Sequence, residues 1–241
     1  MKKILFMLPL LAVALVSCNK DNGGNGDGSE KLVREITYRS TRDTTERVMT
    51  YEYDSQNRIT RMIETYGVGD YPTEGIYEYG EGSILALFGH KENGNWIEHI
   101  CYKYYLDNDS YVVKLEGIEN NEVLNGTMNL EYENGQLKVI SEDGRDGLLY
   151  CYWDNGDMVG LGSEEWRYTS IENKTNLDMM ALTEELLISQ SCIAFKGITS
   201  KHLPDEYYGG SFSYEFDSEG CPTKIVIKSD SDAQEYIIQY Y

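Results

Sequence analysis

One motif recurs along this chain and leaves few folds open to it. Near the end it reads Phe212-Ser-Tyr214-Glu-Phe216-Asp217-Ser-Glu-Gly220-Cys-Pro222-Thr-Lys-Ile225-Val-Ile227. An aromatic alternation enters an acidic turn and leaves as a β-branched run. The same shape stands early as Tyr51-Glu-Tyr53-Asp54-Ser-Gln-Asn57-Arg-Ile59-Thr-Arg-Met62. Tyr77-x-Tyr79, Tyr102-x-Tyr104, Leu130-x-Tyr132 and Tyr150-x-Tyr152 repeat it at spacings of 25 to 28 residues and then 20. Alternation on the way in predicts a half-buried strand, and Asp, Asn and Gly in the middle predict a hairpin turn.

The turns carry a specific chemistry. A four-residue connection is commonly a type I turn closed by a residue with positive φ, which Gly and Asn adopt at little cost. Asn57, Gly82, Gly135, Gly156 and Gly220 stand at that point of their modules, and Asp54 and Asp217 are placed to accept hydrogen bonds from the turn backbone. The acidic clusters are therefore turn residues first, and no pair among them has a spacing that nominates it for catalysis. The outgoing runs (Ile84 to Phe88, Ile225 to Ile227) are apolar on both faces, which a sheet needs only when it curls over itself or closes.

The expected fold is all-β: a many-stranded antiparallel meander of hairpin repeats curling into a barrel-like or strongly curved sheet. Fourteen to sixteen short strands are expected, more than an open sheet usually carries. One helix interrupts them at about 176–190, where Asn176 caps a segment with Met179, Leu182 and Leu186 at helical spacing. Its apolar stripe suits the plugging of a barrel end. Residues 197–208 follow as a loop, before strands at 212–217, 222–228 and 234–241.

Ahead of this single domain (31–241), Lys2 and Lys3 precede an apolar run from Ile4 to Val16, the pattern of a cleaved signal (1–17) and too short to span a bilayer comfortably. Leu15-Val16-Ser17-Cys18 resembles the lipobox of bacterial lipoproteins, which makes Cys18 the lipidated residue and 18–30 a flexible tether to the outer membrane, on its periplasmic or cell-surface face. Asp43-Thr44-Thr45 resembles a short O-glycosylation acceptor but reads equally as a turn. Loss of Lys2 and Lys3 with the signal takes the formal charge from −20 to −22. That charge speaks against a nucleic-acid partner.

Tyrosine outnumbers phenylalanine 21 to 5, as suits half-buried strands where the ring packs and the hydroxyl reaches water. Cys101, Cys151, Cys192 and Cys221 lack CxxC spacing and are expected as buried thiols. Aligning the repeats turns Cys101 and Cys151 away from the tyrosine face. His90, His99 and His202 have no metal-ligand spacing. Around the Asn93-Gly94 turn, symmetry pairs His90 and His99 with other residues and not with each other. No metal or cofactor is expected.

Trp166-Arg-Tyr168, Asn176-Leu-Asp178, Ser200-Lys201-His202-Leu203-Pro204 and the final Phe216-Asp-Ser-Glu-Gly220 resemble a family of Bacteroidetes lipoproteins described as having a porin-like β-meander fold. The resemblance implies a fold and brings no catalytic or binding residue with it. The function expected is a monomeric, non-catalytic binding or structural module of the envelope, with a glycan or another envelope protein as partner. A membrane-embedded porin-like barrel and a hydrolase using acidic residues are the alternatives.

Overall fold

The computed structural model describes residues 31–241 apart from 43–45, 68–71, 120–121, 125, 145–147, 178, 180–195, 208 and 231. The expected signal, Cys18, the tether and the Asp43-Thr44-Thr45 site lie outside the described residues, as does most of the expected helix.

Among the described residues, seventeen strands follow one another. They are β1 (Val33–Ser40), β2 (Arg47–Tyr53), β3 (Ile59–Tyr66), β4 (Thr73–Gly80), β5 (Ser83–Glu92), β6 (Asn95–Leu106), β7 (Val112–Glu119), β8 (Glu122–Val123) and β9 (Met128–Glu133). Then come β10 (Gln136–Glu142), β11 (Leu148–Asp154), β12 (Asp157–Leu161), β13 (Glu164–Glu172), β14 (His202–Tyr207), β15 (Gly210–Phe216), β16 (Pro222–Lys228) and β17 (Ala233–Tyr240). Neighbours pair antiparallel throughout. The last strand returns to the first, with Ile36 opposite Ile238 and Tyr38 opposite Tyr236. Because β7 pairs directly with β9, β8 is a spur on β7, and the other sixteen strands form a closed barrel.

Turn chemistry sets the hairpins at one end. Asn57 has φ 60°, Gly82 68°, Gly135 80°, Gly156 91° and Gly220 82°, each at the place expected. Asp54 Oδ1 accepts from the Gln56 and Arg58 amides at 2.8 and 3.0 Å, and Asp217 Oδ1 from the Glu219 and Cys221 amides, both at 2.9 Å. Asp107 repeats the arrangement with Asp109 and Tyr111. Bulges stand beside these turns, at Glu52/Tyr53, Tyr105/Leu106 and Glu215/Phe216.

The inward faces form one apolar core. Ile36, Tyr51, Tyr104, Leu137, Met158, Leu203 and Ile225 come from strands all round the ring, and each is less than 2% exposed. Water does not reach them, and these inward side chains pack against one another as one cluster. The outer wall is charged. Lys224 pairs with Glu235 at 2.6 Å and with Glu215 at 3.7 Å, Arg39 with Glu235 at 3.4 Å and with Glu46 at 2.7 Å. A second ladder runs Glu52–Arg61–Glu74–Lys91.

The β13–β14 connection, in its described residues, lies at the end that carries the tight turns. Its Asn176 lies against β1 and β2: Asn176 Oδ1 accepts from the Val33 amide at 3.0 Å, and Asn176 Nδ2 donates to the Tyr53 hydroxyl at 3.1 Å. Its return limb lies across the barrel end, where the Leu137 amide donates to the Gly197 carbonyl and the Lys201 amide to the Gly156 carbonyl. Leu177, Met179 and Ile198 are buried there. Of the helix expected at 176–190, Asn176 and Leu177 are non-helical and Met179 is helical; 180–195 lie outside the described residues.

Three local expectations need correction. The loop expected at 197–208 contains β14, because Pro204 sits where β13 and β14 pair irregularly and no ladder donor is needed. Tyrosine hydroxyls do not simply reach water: those of Tyr53, Tyr79, Tyr168, Tyr214 and Tyr240 donate to the carbonyls of Val33, Ile59, Met158, Pro204 and Pro222 at 2.6–2.9 Å. Burial pushes the Tyr53 and Tyr79 hydroxyls up to about 12. Finally, β11 is turned over relative to its aligned relatives. Cys151 is buried in the core while Tyr150 and Tyr152 stand outside, 47% and 54% exposed. Cys101, opposite Leu87 and Ile118, faces outward, so the two thiols lie on opposite sides of the wall.

Candidate functional site: the aromatic mouth of the barrel

At the end away from the plug, inward residues change from aliphatic to aromatic and polar. Strand register puts Tyr236, Tyr38 and Arg47 side by side on β17, β1 and β2, with Tyr66 next on β3. The Tyr38 and Tyr236 rings are 5.0 Å apart. The Arg47 guanidinium lies 5.5 Å from the Tyr38 ring and 4.9 Å from that of Tyr66, with the Glu64 carboxylate 3.9 Å away. A cation between two tyrosine faces is held by the ring quadrupoles, and its remaining donors stay available.

The row continues through Gln234, which accepts from the Tyr236 hydroxyl at 3.2 Å. It leads into a recess of about 190 Å³ lined by Arg42, Tyr207, Gly210, Ile227, Asp232 and Gln234 among others. Tyr207 stacks on Trp166 at 4.1 Å and donates to Glu164. Trp166 is buried, and its indole N–H has no hydrogen-bond partner among the described residues. A wider recess of about 600 Å³ lies at the same end beside the spur, lined by Leu124, Thr127, Glu142 and Asp143 among others.

The tryptophans, cysteines, histidines and buried carboxylates are distributed as follows. Trp153 and Trp166 belong to the core, and the Trp153 indole donates to the Leu137 carbonyl at 2.6 Å. Cys101, Cys151 and Cys221 are free and buried, and burial pushes the Cys151 thiol up to about 11; Cys192 is outside the described residues. His202 Nδ1 lies 2.7 Å from Asp157 at the plugged end. His90 and His99, expected to miss each other, are neighbours: His90 Nδ1 lies 2.6 Å from His99 Nε2. The buried carboxylates are already engaged, Glu74 by Arg61 and Lys91, Glu116 by Lys114 and Tyr105, Asp157 by His202. Burial pushes Glu74 up, but Arg61 and Lys91 outweigh it and hold its carboxyl below the usual range. Sequence reasoning missed the mouth, because Tyr236 joins Tyr38, Arg47 and Tyr66 only when the first and last strands pair.

No family model matches the chain, and no curated protein does. Solved structures do. A porin-like protein from Bacteroides uniformis ATCC 8492 is similar at a TM-score of 0.62 and 14% identity, over 88% of this chain and 99% of that one. A porin-like protein from Bacteroides vulgatus ATCC 8482 gives 0.60 and 14% over the same shares. Likeness at this identity shows the fold, a closed all-β antiparallel barrel, and so the architecture that the resemblance implied; its lipoprotein part rests on residues outside those described.

Proposed function

We propose that this chain is an envelope barrel, tethered by lipid at Cys18, whose wall stays in water and whose aromatic mouth binds a neutral ligand such as a glycan. The observation that carries this is the placing of polarity. Ion-pair ladders run along the outer wall and an apolar core occupies the interior, where a membrane-spanning barrel has a lipid-facing apolar band and a polar lumen. At the mouth, tyrosine faces suit the apolar faces of sugar rings. Arg47 and Gln234 supply donors for hydroxyl oxygens. The recess is smaller than the about 300–1,000 Å³ of drug-sized sites, which fits one sugar unit of a longer chain entering end-on.

A second reading has specific support. The closed sixteen-strand ring and the porin-like neighbours stand nearer to the membrane-embedded porin-like alternative than to a binding module of unspecified shape, and they support an envelope location under either reading. Residues 29–241, expressed alone and run on a sizing column without detergent, separate the two. A β-rich monomer supports the tethered barrel, and retention on immobilised polysaccharides that Tyr38→Ala or Tyr66→Ala abolishes then identifies the mouth. Protein that folds only in detergent and conducts in planar bilayers overturns the proposal in favour of the pore.

A further inference from the structure

The β5–β6 hairpin holds a side-chain pair that the proposed mouth ligand does not use. Symmetric pairing about Asn93-Gly94 runs Glu92–Asn95, Lys91–Trp96, His90–Ile97 and Gly89–Glu98, and then breaks: Phe88 pairs with Ile100. His99 is the extra residue of this bulge. The bulge depends on Gly89, where a Cβ would lie 2.3 Å from the Ile97 carbonyl oxygen and 2.7 Å from Trp96 Cζ2. A side chain there would push the strands apart; glycine lets the backbones close in. The outcome is two imidazoles with ring centroids 4.7 Å apart and facing nitrogens, His90 Nδ1 and His99 Nε2, at 2.6 Å.

We infer that His90 and His99 form a binding site for a divalent transition-metal ion, with Cu²⁺ held in preference to Ni²⁺ or Zn²⁺. Two imidazoles facing one point are a ligand set for these three ions, and affinity for a given nitrogen site peaks at copper. Metal–nitrogen bonds of about 2.0–2.1 Å, at angles from square to tetrahedral, put two ligating nitrogens about 2.9–3.3 Å apart. The rings therefore need to part by well under 1 Å, which rim side chains achieve by small rotations. On entry the ion replaces the ring proton now shared between the two nitrogens, and the imidazole that gives it up carries its proton on its other ring nitrogen instead, exchanged through solvent, so that both rings ligate in the neutral form. His99 is exposed and His90 half-buried, so water reaches the point between them. Among the described residues no third His, Cys, Asp or Glu completes a cluster, and a two-imidazole set suits tetragonal copper better than the closed four-ligand tetrahedron of a structural zinc site.

The test is titration of the full-length protein, purified without a polyhistidine tag, with CuCl₂ in the presence of glycine as competitor. Calorimetry gives stoichiometry and affinity, and electron paramagnetic resonance identifies the ligands. The expected result is one ion per chain with coupling from two imidazole nitrogens. H90A and H99A are each expected to weaken binding by about tenfold or more, since losing a direct ligand costs at least what losing an outer partner does. H99Q, at an exposed position, repeats the test with the metal-free melting temperature unchanged, so that loss of binding is not loss of fold. Binding of equal affinity and stoichiometry in the H90A/H99A double variant, or a copper spectrum without imidazole coupling, overturns the site.

Discussion

Asn176 joins the plug to the barrel, and its removal tests whether the closed end is built as described. Its Oδ1 accepts from the Val33 amide and its Nδ2 donates to the Tyr53 hydroxyl, which itself donates to the Val33 carbonyl at 2.8 Å. Val33 is fully buried and Asn176 is 9% exposed, so water cannot take over these bonds. Asn176→Ala leaves the Val33 N–H without a partner, at about 1–3 kcal/mol, and removes the bond to Tyr53, worth about 1 kcal/mol. The sum, about 2–4 kcal/mol, corresponds to a fall in Tm of about 5–15 °C at the about 2–4 °C per kcal/mol of domains this size. Tyr53→Phe costs about 1–2 kcal/mol by the same argument. Because the residues share one network, the double variant should be less destabilised than the sum of the singles by at least about 0.5 kcal/mol. Thermal unfolding followed by circular dichroism reads all three. A shift below about 2 °C for Asn176→Ala, the size expected at an exposed site, would refute the plug as a structural partner of β1 and β2.

Two further outcomes are expected. Lys31, donating to Asp217 at 2.8 Å, and the Cys221 and Glu219 amides hold the Asp217 carboxyl at about 2 against an ordinary 3.8. Its contribution to stability is therefore present above about pH 4 and is lost as pH falls towards 2; Asp217→Asn should flatten the loss of Tm over that window, and an unchanged acid slope would refute the pairing. The inversion of β11 predicts that Tyr150→Ser and Tyr152→Ser each change stability by less than about 1 kcal/mol, as exposed positions do. Cys151, with its thiol pushed up to about 11 by burial, should react with iodoacetamide at pH 8 only after unfolding; peptide mapping that finds it alkylated in the native protein would place it on the outer wall.

What the sequence discloses and what it hides divide along a physical line. Turns are local, so Asn57, Gly82, Gly135, Gly156 and Gly220, with the caps Asp54 and Asp217 on the first and last, were legible from residue type and offset alone. Closure was legible one step removed, as runs apolar on both faces. The face of β11 was not, because Tyr150-x-Tyr152 copies the motif letter for letter. Which alternate set turns inward is decided by the packing of Cys151 and Trp153 against the rest of the core, and a one-residue slip exchanges the faces. The β5–β6 bulge hid His99 in the same way; the isolated Gly89 in an apolar strand was the available signal. The mouth was out of reach, since it depends on β1 meeting β17 across the whole chain.

The same contrast bears on how a porin-like fold is to be understood. Strand number and closure are properties of the backbone ladder, and they are compatible with either solvent. Side-chain alternation selects between them, because each strand offers one set of residues to the wall's outside and the other to its inside. In this chain the inward set is Ile, Leu, Met and Tyr, and the outward set includes Arg39, Arg61, Lys224 and Arg167 with their carboxylate partners. An Arg or Lys on a lipid face costs about 2–4 kcal/mol at the bilayer midplane, and these ladders place several on one wall, beside an outward apolar row of Ile76, Leu87, Cys101 and Ile118. A backbone shared with porin-like proteins therefore shows the fold alone. On the reading proposed above, in which the wall stays in water, the lipid expected at Cys18 would hold the barrel at a membrane.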